Sequence, residues 1–310
     1  MSDASDDDRR EMLRQVRRIQ VRTDRMVTDV MAGGYTSVFR GAGIEFDEVR
    51  EFAPGDDVRS VDWNVTARAG RPFVKKFMEE RELTVMLVLD VSPSTTFGTD
   101  PEPRGGGAER ARTVRETAAL VCGCFAFAAA RNNDKAGMIT FTDRIERYVP
   151  AKKGRRHVLR LIREAYAQEH QGRGTDVAQA LDYAGRIQRR RAVVIVVSDF
   201  LAPLPDKQLR VLANRHDVIA VRIRDPHTDR LPDAGLLRLR DPETGRDALV
   251  DTASRRVRDE VARRMQAERL RLDEACKRAG VDVLEVETRG SVADPIVKFF
   301  RMRDRRGSKR

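Results

Sequence analysis

Three short segments of the sequence combine carboxylates with hydroxyl groups and contain neither cysteine nor histidine. Asp90, Ser92 and Ser94 alternate directly after an apolar run, Thr175 follows a glycine-rich stretch, and Asp199 follows a second apolar run. Carboxylate and hydroxyl oxygens are hard ligands, which suit magnesium, manganese or calcium and not zinc. The five side chains therefore predict a site for a divalent cation, first of all magnesium, with a coordination position left open for a carboxylate from another molecule.

The same residue types also have an ordinary structural use. Ser, Thr and Asp cap helices, so an Asp-x-Ser-x-Ser run, or Thr175 and Asp176 at a helix start, occurs without any metal. The order and placement of the three segments favour a metal site, because each segment follows a predicted strand or begins a predicted helix.

The elements that must position these side chains alternate between strands and helices. Residues 83–89 and 192–197 are continuous apolar runs, which are typical of strands buried on both faces of a sheet. The pattern predicts further strands at 135–141, 144–149, 216–223 and 281–287, and helices at 108–131, 155–168, 176–189, 205–214, 254–279 and 292–303. This alternation predicts an α/β fold with a mostly parallel sheet covered by helices on both faces. Ligands of such sheets bind beyond the carboxyl ends of the strands, where the strand order reverses.

The sequence pattern divides the chain into four regions. Residues 1–34 are predicted to form an amphipathic helix, residues 35–82 a small β-rich lobe, and residues 83–303 the α/β domain. An inserted hairpin is predicted at 224–251, and residues 304–310 form a basic tail.

The small lobe contains the single tryptophan of the chain, Trp63, among many charged residues. Glu45, Arg50, Arg59 and Asp62 surround it in the sequence, either as a binding surface or as a network of ion pairs that holds the small lobe against the sheet. The close match of arginines and carboxylates favours the network.

The amino-acid composition of the chain limits which cellular environment and which partners are expected. The chain has 310 residues, a net charge of +11 and 5% aromatic residues. Interspersed charges favour solvated faces over a nucleic-acid surface, which would need a clustered basic face and exposed aromatics. Cys122, Cys124 and Cys276 lack the spacing of a zinc site or a disulfide framework, so free buried thiols are expected. The acidic N-terminus and the short apolar run at 118–130 predict a cytoplasmic protein without a transmembrane segment.

Enzymatic activity is not predicted. None of the four histidines accompanies a serine or cysteine in a recognisable nucleophile motif. A phosphate-binding Gly-x-x-x-x-Gly-Lys loop is also missing from the sequence, so no ATP hydrolysis is expected.

The order of the five oxygen-bearing residues resembles the metal-ion-dependent adhesion site of von Willebrand factor A (VWA) domains. By this resemblance Asp90, Ser92 and Ser94 come from the first ligand loop, Thr175 from the second and Asp199 from the third. The common VWA form has glycine before the second serine, where this chain has proline, which stiffens the loop. The resemblance implies a VWA-like sheet of the Rossmann type.

A longer resemblance covers most of the chain. Its residues run Gly41-Ala42-Gly43-Ile44-Glu45-Phe46-Asp47-Glu48-Val49-Arg50-Glu51-Phe52, Pro54-Gly55-Asp56-Asp57-Val58-Arg59, Asp62-Trp63-Asn64-Val65-Thr66-Ala67-Arg68, Phe73-Val74-Lys75-Lys76-Phe77 and Glu79-Glu80-Arg81-Glu82. They resemble the bacterial and archaeal family catalogued as domain of unknown function fifty-eight. The resemblance implies a VWA-like protein, often encoded beside a MoxR-type AAA+ ATPase and acting with it in chaperone-like maturation of other proteins.

Two function hypotheses follow. The first is a non-enzymatic, metal-dependent protein-interaction module, a partner of a MoxR-type AAA+ ATPase that binds a carboxylate of the ATPase or of a client protein through the divalent ion. The alternative is a nucleic-acid-binding protein that uses its net positive charge; a metal-dependent hydrolase is more distant.

Overall fold

The computed structural model describes residues 45–54, 56–78, 83–98, 112–167 and 171–307. The helix predicted at 1–34 lies outside these residues, as do the first ten residues of the predicted lobe and the last three of the basic tail. The described residues belong to two compact units, of which the first ends at Leu83 and the second begins at Thr84.

The first unit pairs two antiparallel strands, β1 (Glu45–Glu51) and β2 (Phe73–Met78), around a helix, α1 (Trp63–Ala69). The sequence prediction for this lobe named strands alone. The helix forms because the Asp62 side chain accepts hydrogen bonds from the backbone N–H groups of Asn64 and Val65. Gly70 ends it in the left-handed conformation, at a φ of 68°.

Charged residues of the first unit form ion pairs with one another. Arg50 binds Asp56 at 2.6 Å, and Arg71 binds Glu51 at 2.9 Å. Trp63 is 69% exposed, so its ring takes no part in a core.

The second unit is built on a six-stranded sheet in the order β10-β7-β6-β3-β4-β5. The strands are β3 (Thr84–Asp90), β4 (Lys135–Phe141), β5 (Ile145–Lys152), β6 (Val193–Ser198), β7 (Asp217–Arg224) and β10 (Asp282–Glu287). Neighbouring strands are parallel, and β5 alone pairs antiparallel at its edge. The order reverses between β3 and β6, as in doubly wound folds. This confirms the predicted α/β fold with a mostly parallel sheet.

Helices cover both faces of the sheet. They are α2 (Val114–Arg131), α3 (Arg155–Ala167), α4 (Val177–Ile187), α5 (Asp206–Arg215), the short α6 (Pro226–Asp229), α7 (Arg255–Ala279) and α8 (Ala293–Gly307). Leu181 of α4, Leu209 of α5 and Leu272 of α7 pack with Met86 and Val88 in one buried cluster. Because side chains alternate along a strand, Val85, Leu87 and Leu89 face the opposite side. The rings of Phe125 in α2 and Phe300 in α8 pack edge to face at 5.8 Å.

Two helix boundaries differ from the sequence prediction by more than two residues. Helix α2 begins at Val114, because Thr113 and Glu116 form a reciprocal capping box that sets its first turn; residues 108–111 of the predicted helix lie outside the described residues. Helix α8 continues to Gly307, past the predicted end at 303. Arg303 stabilises this extension through ion pairs with Asp217 and Asp282.

Residues 224–251, for which the sequence predicts an inserted hairpin, contain two antiparallel strands, β8 (Leu236–Arg240) and β9 (Asp247–Asp251). The turn between them is ordered by Asp241, whose carboxylate accepts from the Glu243 N–H and from the Thr244 hydroxyl. Gly245 completes the turn at a φ of 69°, which glycine adopts without strain.

Cys122, Cys124 and Cys276 are free and buried, as predicted. Within the described part of the chain, we find no helix with the length and apolar character that crossing a membrane requires.

Candidate metal centre

Two of the three predicted segments lie side by side at the carboxyl edge of the sheet. Asp90 is the last residue of β3, and Asp199 directly follows β6. The two strands are parallel neighbours, with Leu89 opposite Val197. The segments therefore lie where the strand order reverses, which is the usual ligand position of open α/β sheets.

The first loop turns sharply so that its oxygens gather beside Asp90. The N–H of Ser92 donates to Asp90 Oδ1 at 2.9 Å, and the hydroxyl oxygens of Ser92 and Ser94 are 3.0 Å apart. Residues Pro93–Thr96 form a single 3-10 turn, and Pro93 occupies its first position. Proline suits that position because its fixed φ matches the helix and its missing N–H is not needed there. Proline in place of glycine is thus compatible with a loop that brings the two serines together.

The third loop connects to the first through a buried hydrogen bond. Ser198 Oγ donates to Asp90 Oδ2 at 2.6 Å. Both Asp90 oxygens thus accept hydrogen bonds, which fix the orientation of the carboxylate. The Leu201 N–H donates to Asp199 Oδ1 at 3.1 Å, and Phe200 adopts a φ of 54°. A left-handed conformation costs a non-glycine residue on the order of 1 kcal/mol, and such strain is concentrated at functional sites.

The second loop presents Thr175 at the start of α4. Asp176 caps this helix through the Gln179 N–H at 2.9 Å, and its own N–H donates to the Thr142 carbonyl. Asp176 is therefore the residue that caps α4, and the Thr175 hydroxyl is not used for the cap. The Thr175 hydroxyl donates to Glu243 Oε1 at 2.6 Å.

Glu243 is a residue of the site that sequence reasoning missed. It lies in the turn of the β8–β9 hairpin, 68 positions after Thr175. Its charge also raises the pKa of Asp199, and Ser94 hydrogen-bonds to Asp199. Glu243 thus contacts Thr175 directly and acts on Asp199 through its charge, at the same edge of the sheet. The sequence signal was weak, since an acidic residue in a turn is common.

Electrostatics at the site favour a positive ion. Burial raises the pKa of Asp199 from its ordinary value of 3.8 to about 7, and the charges of Asp90 and Glu243 add to this effect. Burial likewise raises the pKa of Asp90, although hydrogen bonds from Ser198 and Ser92 oppose the shift. Carboxylates with raised pKa values gain most from a nearby cation, because it stabilises their ionised form.

Arg115, in the first turn of α2, is the second residue that sequence reasoning missed. Its guanidinium donates to the Val91 carbonyl at 2.5 Å and to the Thr95 hydroxyl at 3.1 Å. These two hydrogen bonds stabilise the conformation of the first loop. Burial lowers the pKa of Arg115, and the charge of Asp90 opposes that shift.

The donor set fits a hard divalent cation. Asp90 and Asp199 supply carboxylates, and Ser92, Ser94 and Thr175 supply hydroxyls, which are ligands of the magnesium and calcium class. Across the described ranges, no three His, Cys, Asp or Glu side chains are grouped so that they could hold a metal ion. Hydroxyls and water would therefore have to complete the coordination, which suits magnesium because it keeps several waters.

Several solved structures are similar to parts of this chain. BatB from Bacteroides thetaiotaomicron is 18% identical, with a TM-score of 0.43 over 74% of this chain and 100% of its own. An aerotolerance-related membrane protein from Bacteroides fragilis is 16% identical, with a TM-score of 0.44 over 72% of this chain and 99% of its own. The SpRpn10 VWA domain is 12% identical, with a TM-score of 0.36 over 70% of this chain and 95% of its own.

Sequence relatives cover the chain more completely. The uncharacterised protein Mb1516 of Mycobacterium bovis is 32% identical over 298 residues, which are 94% of this chain and 90% of that protein. The uncharacterised protein MAV169 of Mycobacterium avium is 35% identical over 166 residues, or 52% of this chain and 95% of its own length. Residues 48–271 match the family described as "Protein of unknown function DUF58". This match spans most of the chain, which therefore belongs to the DUF58 family.

Proposed function

We propose that this protein is a non-enzymatic module that binds other proteins through a divalent cation. The cation is held by Asp90, Ser92, Ser94, Thr175 and Asp199. The observation that carries the proposal is that Asp90 and Asp199 follow neighbouring strands at the reversal point of the sheet, where burial raises the pKa of both carboxyl groups. A bound cation would stabilise the ionised form of both carboxylates, in addition to the positive charge that Arg115 provides near Asp90.

The ion, when bound, supplies a concentrated positive charge with coordination positions that a partner's carboxylate can enter. The residues of the chain hold and orient the ligand oxygens. Asp90 is fixed by Ser198 and by the Ser92 N–H, and Asp199 by the Leu201 N–H. This fixation lowers the entropic cost of binding the ion, since the oxygens are ordered beforehand.

The hydroxyls of the site are arranged as ligands and not as nucleophiles. Ser198 donates to a carboxylate, and the hydroxyls of Ser92 and Ser94 contact each other. The base that activates a serine nucleophile is most often a histidine. His157 bonds instead to the Ala136 carbonyl, and the His216 ring is buried beside the end of α5.

The partner we propose is a MoxR-type AAA+ ATPase, with which the protein would mature client proteins in a chaperone-like way. Membership of the DUF58 family and the family resemblance of residues 41–82 support this partner. A partner carboxylate, from the ATPase or from the client, would complete the coordination of the ion.

A pull-down from cell extract tests this proposal and separates it from nucleic-acid binding. Wild type and Asp90→Asn are compared in magnesium, in chelator, and in magnesium with raised salt. We expect wild type to retain an AAA+ ATPase in magnesium at both salt concentrations, and to lose it in chelator or with Asn at position 90. Retention of nucleic acid that falls steeply with salt and ignores the chelator would contradict the proposal, since counterion release governs such binding.

A further inference from the structure

A small apolar cavity lies directly beside the candidate metal centre. Its volume is 180 Å³, and Ser94 and Asp199 form part of its wall. Its other lining residues include the apolar side chains Phe97, Phe200, Leu201, Pro242, Met265 and Leu272. A cavity of about 150 Å³ accommodates a benzene molecule, so this one has room for a single bulky apolar side chain.

The apolar side chains at the mouth of the cavity are unusually accessible. Leu201 is 49% exposed and Phe97 is 45% exposed. By contrast, the arginines around the cavity are already paired with acidic residues of the chain. Arg224 and Arg269 both bind Asp229, and Arg222 binds Glu285. The cavity therefore binds a ligand mainly through apolar contacts.

Two consecutive residues of the hairpin turn connect the cavity with the metal centre. Pro242 lines the cavity, and Glu243 accepts the Thr175 hydroxyl at 2.6 Å. Glu243 also contributes negative charge at Asp199. An apolar residue followed directly by an acidic one thus spans the two neighbouring sites.

The turn that presents this pair is ordered independently of it. The Asp241 side chain accepts from the Glu243 N–H and the Thr244 hydroxyl, and the Gly245 N–H donates to the Asp241 carbonyl at 2.8 Å. Changes of the Glu243 side chain therefore leave the backbone of the turn in place.

We propose that the site recognises a protein segment in which an apolar residue directly precedes an acidic one, and that Glu243 is the chain's own occupant of the acidic position. The inference rests on the proposed function, because the acidic residue of the partner is the one that reaches the cation. The apolar residue of the partner enters the cavity beside Leu201. The site therefore prefers those acidic segments in which an apolar residue precedes the acidic one. A partner must displace the hairpin's Glu243, so removing the Glu243 carboxylate exposes the site.

Binding of three hexapeptides in manganese tests the inference. The first is Gly-Gly-Leu-Glu-Gly-Gly; the second replaces its leucine by glycine, and the third replaces its glutamate by glutamine. We expect Glu243→Ala to bind the first peptide about tenfold more tightly than wild type, because the fraction of accessible sites rises. Glu243→Gln should behave similarly, since it keeps the shape and loses the charge. Glu274→Ala, which removes an exposed glutamate of α7, should bind as wild type does.

The peptides also test the cavity. Glu243→Ala should bind the leucine-free and the glutamate-free peptides at least tenfold more weakly than the first, and Leu201→Ser should remove the preference for leucine. Equal binding of the first peptide by wild type and both Glu243 variants, or no preference for leucine, would overturn the inference.

Binding of manganese alone separates this inference from the proposed function. If manganese binds to wild type and Glu243→Ala but about tenfold or more weakly to Asp90→Asn, a failure in the peptide assay concerns the dipeptide inference alone. If Asp90→Asn binds manganese as tightly as wild type, the proposed metal centre is wrong, and the inference that rests on it falls too.

Discussion

Asp199 is the residue whose ionisation reports most directly on the proposed centre. Burial and the charges of Asp90 and Glu243 raise its pKa to about 7, whereas the unfolded chain gives it an ordinary value of 3.8. Between these two values the folded protein holds a proton that the unfolded chain has released. The contribution of Asp199 to stability is therefore complete below the unfolded pKa and is lost as the pH rises through about 7.

We predict that, without divalent ions, the Tm of wild type falls between pH 6 and pH 8 relative to that of Asp199→Asn. The asparagine variant lacks the titrating group and serves as the reference. Magnesium should restore the Tm of wild type at pH 8, because the ion replaces the proton at the carboxylate. Thermal unfolding in chelator and in magnesium measures both effects. Parallel Tm curves for the two proteins would contradict the raised pKa.

At the residue scale, the positions of the five proposed ligands in the fold could be predicted because each lies next to a strong local pattern, and their binding of a cation stays a prediction. Asp90 and Asp199 end apolar strands, and Thr175 precedes a helix. The roles of Glu243 and Arg115 could not be predicted, because they depend on contacts between residues that are far apart in the sequence. Glu243 meets Thr175 across 68 positions, and Arg115 meets Val91 across 24. A turn glutamate and a helix arginine have no sequence pattern that distinguishes them from solvated neighbours.

At the element scale, helix α2 supports the first ligand loop. Its first turn contains Arg115, which binds Val91 and Thr95, and its start is fixed by the capping box of Thr113 and Glu116. The cap therefore affects both the stability of the unit and the position of the loop.

We predict that Thr113→Ala lowers the free energy of unfolding by about 1 kcal/mol, because the Glu116 N–H loses its acceptor. Ser254→Ala is the matched control. Ser254 also precedes a helix, α7, but its side chain makes no capping hydrogen bond. Urea denaturation of both variants measures the difference. An equal loss of stability in both would show that the capping box contributes nothing specific.

Strand positions and helix starts were predicted closely, apart from the start of α2. Residues 135–141 were predicted as a strand and form β4 without change. The start of α2 was placed at residue 108, because apolar spacing alone does not mark where a helix begins. The Thr-x-x-Glu pattern at 113–116 did carry that information. The 3-10 turn after Ser92 was also not predicted, since four residues are too few for a periodic pattern.

For the whole molecule, the alternation of strands and helices was enough to predict a mostly parallel sheet. The strand order was not predicted, because it depends on which helices cross which face. That order places Asp90 beside Asp199, so the centre depends on the complete fold of the second unit. The net charge is +11, and many of the arginines, such as Arg222 and Arg303, form ion pairs that neutralise their charge locally.

Calorimetric titration with manganese is the most direct test of the central claim, which is that the three loops hold a divalent cation. The titration compares wild type with Asp90→Asn, which keeps the shape of the side chain, and with Asp182→Asn, which removes one exposed carboxylate from α4. We predict a saturable heat for one ion in wild type and Asp182→Asn, and an affinity at least about tenfold lower in Asp90→Asn, since one charged ligand is worth more than 1.4 kcal/mol. No saturable heat in wild type, or the same affinity in all three proteins, would contradict the account.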